Sequence, residues 1–164
     1  DGGTLLPFGL LQAVLRPYWP QWKRNLPSPA PWTFREGTHI FKVSLGRIWR
    51  RIAIDARHSL DTLASIILDS VDFDSDHLYR FFYRNRYGLY EDINHPYMDE
   101  GPFTSEVQVG DVPLRVGQSM TYLFDFGDHW EFEVTLEEVQ SGQSLKQPCI
   151  LDRHGPSPEQ YPGW

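Results

Sequence analysis

The sequence predicts an α+β domain, and three patterns support this fold class. Apolar and polar residues alternate over residues 41–45 and again over 48–54, as in strands with one buried face. Between residues 60 and 71 the apolar residues recur at helical spacing instead. Residues 120–136 hold two further alternating runs around a short turn, the pattern of a β-hairpin. Runs of strands interrupted by one helix indicate an α+β arrangement.

Composition limits both the number of domains and the class of partner. The chain has 164 residues, of which 40% are hydrophobic, so one compact core with an appendage is expected. The formal net charge of -7 disfavours a nucleic-acid binder, because such proteins need clustered cations to displace counterions. The apolar stretch at residues 5–15 is shorter than the ~18 residues of a membrane span, so no membrane partner is expected.

The single cysteine, Cys149, allows neither an internal disulfide nor a cysteine-based zinc site. Cysteine usage of this kind is typical of a reducing compartment, so we expect a cytoplasmic location.

Residues 1–36 are predicted to form an N-terminal arm, and residues 37–164 the main domain. The arm holds six of the 13 prolines, together with Trp19, Trp22 and Trp32. Pro7 suits the first turn of a helix. The apolar residues of a short helix then follow on one face: Leu10, Leu11, Val14, Leu15 and Tyr18.

The main domain begins with two predicted strands that meet at the turn Gly46-Arg47. In the second strand Arg50 shares the apolar face with Ile48, Ile52 and Ile54. An unpaired charge is costly on a buried face. We therefore expect either a bulge that turns Arg50 outward or a carboxylate that pairs with it.

A helix is predicted from Ser59, which can cap it, with Asp61 in the first turn. A third strand is predicted over residues 77–84, with His77 on the same face as alternate aromatic residues. Residues 85–105 read as irregular, and residues 107–114 as short strand or 3₁₀ pieces. After the hairpin we expect a polar tail.

The hairpin permits a prediction of register. Its apolar rows, Met120 to Phe126 and Trp130 to Leu136, are both even-numbered, so they share a face only if the loop has an odd number of residues. A loop of residues 127–129 places Phe126 opposite Trp130. It also places Asp125 opposite Glu131, and we expect Arg50 or Arg51 to compensate these two acids.

Several motifs resemble the plasmid pRiA4b ORF-3-like family over roughly residues 38–162. They are Trp49-Arg50-Arg51 in the second strand, the segment with Asp74, Asp76, His77, Leu78, Phe81 and Phe82, the hairpin signature Asp125-Phe-Gly-Asp128-x-Trp130, and the tail Pro156-Ser-Pro-Glu159-Gln-Tyr-Pro. The resemblance implies an α/β roll, in which the helix packs on a curved, mainly antiparallel sheet. Members of this family have no settled activity and some are linked to mobile elements, so the resemblance implies no catalytic residue. The N-terminal arm departs from the family's minimal domain.

Candidate site residues collect in the strands and in the loops beside them. Asp125 and Glu131 could share a proton as an acid/base pair, with His77 as a further acid or base. A divalent metal would be held by oxygen and imidazole ligands. The candidates for this are Asp125, Asp128, His129 and Glu131. The candidate binding residues are Arg50, Arg51, His77, Asn94, His95, Asp128, His129 and Trp130.

The leading hypothesis is a non-enzymatic binding or protein-interaction module whose partner is a protein or a small ligand, with no cofactor. One alternative is a metal-assisted hydrolase or nuclease that uses the acidic hairpin. Another is a nucleic-acid-binding accessory protein, since aromatic and basic residues alternate over residues 79–87. The common nucleotide-binding, zinc-protease and serine-hydrolase signatures do not occur in the sequence.

Overall fold

The structure, a computed structural model, describes residues 32–162. Nearly all of these residues belong to the compact unit that begins at Thr33. The predicted short helix of the arm, from Pro7 to Tyr18, lies outside the described residues.

The described chain forms one seven-stranded sheet and a single α-helix. The elements, in chain order, are β1 (Thr38–Leu45), β2 (Ile48–Asp55), α1 (Leu60–Ser70), β3 (Tyr79–Arg84), β4 (Tyr90–Asn94), β5 (Ser119–Phe124), β6 (Trp130–Gln140) and β7 (Cys149–His154). The strand order is β4-β3-β5-β6-β1-β2-β7, and every neighbouring pair is antiparallel. The α+β class is confirmed. Within residues 32–162, no helix combines the length and the apolar character needed to cross a membrane.

The hydrophobic core lies between α1 and one face of the sheet. The Ser59 hydroxyl accepts the Thr62 N–H at 3.2 Å, so the helix begins where the sequence predicted. Leu60, Leu63 and Ile67 are fully buried, and α1 packs against β2 and β7. The predicted apolar face of the helix is confirmed, and so is the short 3₁₀ piece, at Val109–Asp111.

Two strands escaped the sequence analysis, and both are at the edges of the sheet. β4 lies in the segment predicted to be irregular, and only Ile93 of this strand is buried. β7 lies in the predicted polar tail, and its residues are almost all exposed. An edge strand with few buried side chains shows no apolar alternation, because it is held mainly by backbone hydrogen bonds.

The hairpin of β5 and β6 differs from the predicted register by two residues. Phe124, not Phe126, lies opposite Trp130, and Leu123 lies opposite Glu131. The loop therefore spans residues 125–129. The loop has an odd number of residues. The prediction that the apolar rows of β5 and β6 share the core face is therefore confirmed. The predicted Asp125–Glu131 pair was wrong, because the longer loop carries Asp125 out of the ladder.

Arg50 stays on the core face and is only 2% exposed. Its Nε donates to the Ser70 carbonyl at 2.8 Å, and its Nη1 donates to the carbonyls of Trp49 and His154 at 2.9 and 3.0 Å. Within the described residues no carboxylate forms an ion pair with it. β2 does have an irregularity in register, between Arg51 and Ile52, but it does not turn Arg50 outward. Both predicted outcomes, an outward Arg50 and a carboxylate partner, were therefore wrong. Burial and the neighbouring Arg153 lower the pKa of Arg50 from its ordinary value.

Replacing Arg50 by Met should destabilise the domain by about 2 kcal/mol or more, since the carbonyls of Trp49 and His154 lose a donor and each such loss costs roughly 1–3 kcal/mol. The Ser70 carbonyl keeps the donor that Arg153 supplies. Met keeps the aliphatic bulk, so the loss does not arise from a large cavity. Urea denaturation followed by circular dichroism measures the change. Arg51→Met is the matched control: Arg51 pairs with Glu137 and Asp152 near the surface, and its loss should cost below about 1 kcal/mol. Equal stability of both variants would contradict the role of Arg50.

Candidate functional site

Three of the four sequence motifs meet at one cluster at the edge of the core, formed by Asp76, His77, Asp125 and Tyr161. We call it the His77 cluster. The Nε2 atom of His77 lies 3.4 Å from Asp125 Oδ2 and 3.6 Å from Asp76 Oδ1. The same nitrogen lies 3.2 Å from the Tyr161 hydroxyl. The side chain of His77 is 39% exposed, whereas Asp125 is buried.

The chain segment before the C-terminus holds this cluster in place. The buried side-chain amide of Gln160 accepts the Asp74 N–H at 2.7 Å and donates to the Asp74 carbonyl at 3.0 Å. Tyr161 then donates its hydroxyl to Asp76 Oδ2 at 2.5 Å. These contacts occupy the backbone just before His77, and the β3 ladder begins only at Tyr79. β3 therefore starts at Tyr79, two residues later than the sequence predicted.

Asp125 also builds the loop of residues 125–129. Its Oδ1 accepts the N–H groups of Gly127 and Asp128 at 3.0 and 3.3 Å. Its own N–H donates to the Leu78 carbonyl at 3.0 Å. The backbone φ of Asp125 is 60°, in the left-handed region that Asp and Asn tolerate better than most residues. The loop conformation thus depends on this side chain.

Hydrogen bonding controls the electrostatics of the cluster. The Tyr161 hydroxyl lowers the pKa of Asp76 below its ordinary value. In return, the Asp76 carboxylate raises the pKa of Tyr161 to about 12. Each group stabilises the state that the other needs: an ionised acid and a protonated phenol.

The remaining acidic and imidazole candidates are not gathered around one point. Glu131 pairs with His129 at 2.8 Å and lies opposite Leu123, not Asp125, in the sheet. Asp128 contributes its backbone N–H to Asp125. In the part of the chain that the structure describes, no group of three or more His, Cys, Asp or Glu residues is arranged to hold a metal ion.

The other predicted binding residues have structural contacts. The Asn94 side chain donates to the Glu100 carbonyl at 2.9 Å, and His95 Nδ1 accepts the Tyr97 N–H at 3.1 Å, so both shape the loop after β4. The half-buried Trp130 packs edge-on against the ring of Phe73. Arg51, predicted to compensate Asp125 and Glu131, instead pairs with Glu137 and Asp152.

The sequence did not predict a second feature, an aromatic surface with one arginine on the sheet face opposite α1. It consists of Leu78, Arg80, Phe82, Tyr90 and Phe126, and we call it the open face. The guanidinium of Arg80 lies over the rings of Phe126 and Phe82, at 5.6 and 5.8 Å from their centroids. The Phe82 and Tyr90 rings meet at 5.8 Å. The surface is therefore continuous across two strands and the 125–129 loop.

The register error explains why the open face was missed. Phe126 was predicted to lie in the core row, yet it is 41% exposed, and Tyr90 is 62% exposed. Loop conformation decides which side of the sheet Phe126 reaches. One sequence signal for the open face was available. Leu78, Arg80 and Phe82 alternate with the buried Tyr79 and Phe81, so they must lie on the opposite face of the sheet.

The fold and the site together define an α+β domain with a seven-stranded antiparallel sheet and an aromatic open face. The family model of the plasmid pRiA4b ORF-3-like protein matches residues 40–163. The chain therefore belongs to the plasmid pRiA4b ORF-3-like family.

A solved structure has a similar fold. It is the crystal structure of MM3350, a protein of unknown function from Methanosarcina mazei Go1, with a TM-score of 0.60 and 25% sequence identity. The match covers 75% of this chain and 72% of that chain. The curated proteins contain no match.

Asp125→Ala should destabilise the domain by about 2 kcal/mol, because it removes the acceptor for two N–H groups and places Ala in the left-handed region. Asp125→Asn keeps the acceptor and tolerates that backbone, so its loss should stay below about 1 kcal/mol. Chemical denaturation of both variants measures the difference. If Asn is as damaging as Ala, the negative charge facing His77 matters more than the loop hydrogen bonds.

Tyr161→Phe should lower the melting temperature by an amount that depends on pH. The Tyr161–Asp76 contribution is lost as pH falls through the lowered pKa of Asp76, whose ordinary value is 3.8. It is also lost as pH rises from 10.0, where unfolded tyrosine ionises, to about 12. The difference from wild type should therefore be constant between roughly pH 5 and 9 and shrink on both sides. Tyr97→Phe, at an 86% exposed tyrosine, is the control, and a difference independent of pH would count against the hydrogen bond.

Proposed function

We propose that this domain is a non-enzymatic protein-interaction module and that a partner protein docks on the open face. The observation that carries the proposal is the continuous surface formed by the exposed Phe126 and Tyr90 and the partly exposed Arg80 and Phe82. Contiguous exposed apolar surface rimmed by polar groups is typical of interaction sites.

The composition of the open face supports a protein partner. Aromatic residues and arginine are enriched where protein interfaces bury most surface, and they often dominate the binding energy. Leu78 adds a further exposed apolar side chain at one end. Arg80 forms no ion pair within residues 32–162, so its charge is available to a partner.

The geometry of His77 favours binding over proton transfer. Its Nε2 atom faces Asp76, Asp125 and Tyr161 together. A proton exchanged with a substrate through that nitrogen would require these contacts to break. In the proposed function the His77 cluster instead positions the 125–129 loop, and the loop presents Phe126 to the partner.

The aromatic residues of β3 first considered for nucleic-acid binding support the same view. Tyr79, Phe81 and Tyr83 are buried in the core, so their rings cannot stack on bases. The net charge of -7 adds a long-range repulsion of phosphate chains.

A photo-crosslinking phenylalanine analogue at position 126 should form a covalent adduct with a protein in cells of the source organism. The same analogue at Leu151, which is 46% exposed on β7, is the matched control and should form none. Tyr90→Ser, combined with the analogue at position 126, should reduce the adduct about tenfold, because a central aromatic contact commonly contributes 2 kcal/mol or more.

Mass spectrometry of the adducts identifies what is bound. Adducts with nucleic acid, or equal yields from positions 126 and 151, would refute the proposed protein-interaction surface.

A further inference from the structure

A groove of about 290 Å³ opens beside the open face, where β3 and β5 separate. The hydrogen-bonded ladder between these strands ends at the pair Phe82–Thr121. Beyond this pair, Arg84 and Ser119 line the groove together with Leu114 and Gln118. Phe82 and Tyr90 belong both to the groove and to the open face. The groove therefore continues the proposed docking surface.

Among the described residues that line the groove, Arg84 carries the one charge, and none is Asp or Glu. Its guanidinium stacks on the Tyr90 ring at 4.9 Å and donates from Nη2 to the Tyr90 hydroxyl at 3.1 Å. No ion pair to Arg84 occurs among residues 32–162. Arginine has five N–H donors in a fixed fork, so this one is oriented by Tyr90 and keeps donors for a ligand.

Two acids near the groove are held by other groups. Glu91 accepts the Tyr83 hydroxyl at 2.6 Å and the Asn85 amide at 3.1 Å, and these two hydrogen bonds lower the pKa of Glu91. Glu133 accepts the Ser119 hydroxyl at 3.3 Å. Neither of them, nor Asp92, which lies opposite Phe82 on the same sheet face, forms an ion pair with Arg84 among the described residues. The groove thus presents a cation without an ion-pair partner in residues 32–162.

We infer that this groove receives a carboxylate side chain of the docked partner, next to an apolar residue that packs on Leu114 and Phe82. The inference rests on the proposed function and names the chemistry that the partner must present. A guanidinium fork matches the two oxygens of a carboxylate. The volume lies at the lower limit of the ~300–1,000 Å³ typical of small-molecule pockets, which suits one or two side chains. A phosphate chain would need a row of cations, and the groove has one.

Three capped tripeptides test the inference by titration into the ¹⁵N-labelled domain: acetyl-Leu-Glu-Leu-amide, acetyl-Leu-Gln-Leu-amide and acetyl-Leu-Lys-Leu-amide. The Glu peptide should shift the amide resonances of Arg84, Ser119 and Thr121. It should bind at least about tenfold more tightly than the Gln and Lys peptides, a difference of 1.4 kcal/mol.

Arg84→Gln should abolish the preference for Glu, whereas Arg57→Gln should preserve it. Arg57 is the matched control, because it is an exposed arginine that pairs with Glu36 elsewhere on the domain. Both positions are exposed, and the unperturbed resonances of the core would confirm that each variant folds.

Equal affinity for the three peptides, or no shifts at the groove, would overturn the inference. So would an undiminished preference for Glu in Arg84→Gln. A protein adduct at position 126 without any Glu preference would refute the carboxylate and leave the interaction module intact. A Glu preference without a protein adduct would refute the interaction module and leave a carboxylate site at Arg84.

Discussion

The rest of this domain depends on one buried guanidinium. Arg50 joins the end of α1, at the Ser70 carbonyl, to β7, at the His154 carbonyl. Its own strand, β2, lies between β1 and the edge strand β7. A charge in this position is costly unless its donors are satisfied. Backbone carbonyls accept from its Nε and Nη1, and the Ser157 hydroxyl accepts from its Nη2 at 3.5 Å. These contacts tie the C-terminal segment to β2 and α1.

That segment extends the polar network to the candidate site. Arg153 donates to the same Ser70 carbonyl at 2.8 Å, and Ser157 donates to Asp72 at 2.7 Å. Gln160 then holds the backbone of Asp74. Each contact brings the tail closer to His77, whose carboxylate partner Asp125 shapes the 125–129 loop. Polar contacts inside the domain thus control which side chain, Phe126, is presented outside it.

The sequence predicted those parts of the fold in which periodicity reflects burial. The alternation in β1 and β2, the helical spacing after Ser59 and the shared parity of β5 and β6 all correspond to buried faces. The motifs also indicated His77 and Asp125 as site residues. Their contact, however, was not predicted, because residues 77 and 125 are brought together only when β3 pairs with β5.

Pattern alone determined the α+β class, the main helix and which residues of each central strand face the core, since these follow from a local period of burial. Only the tertiary structure decided the partners of Arg50, the edge strands β4 and β7, and the exposure of Phe126. Every residue carries a carbonyl, so no sequence signal marks which carbonyls a buried arginine will reach. The alternation of apolar residues likewise cannot distinguish two hairpin registers that differ by two residues, because both keep the same side chains on the core face. The observed register separates Asp125 from Glu131 and places Phe126 on the open face.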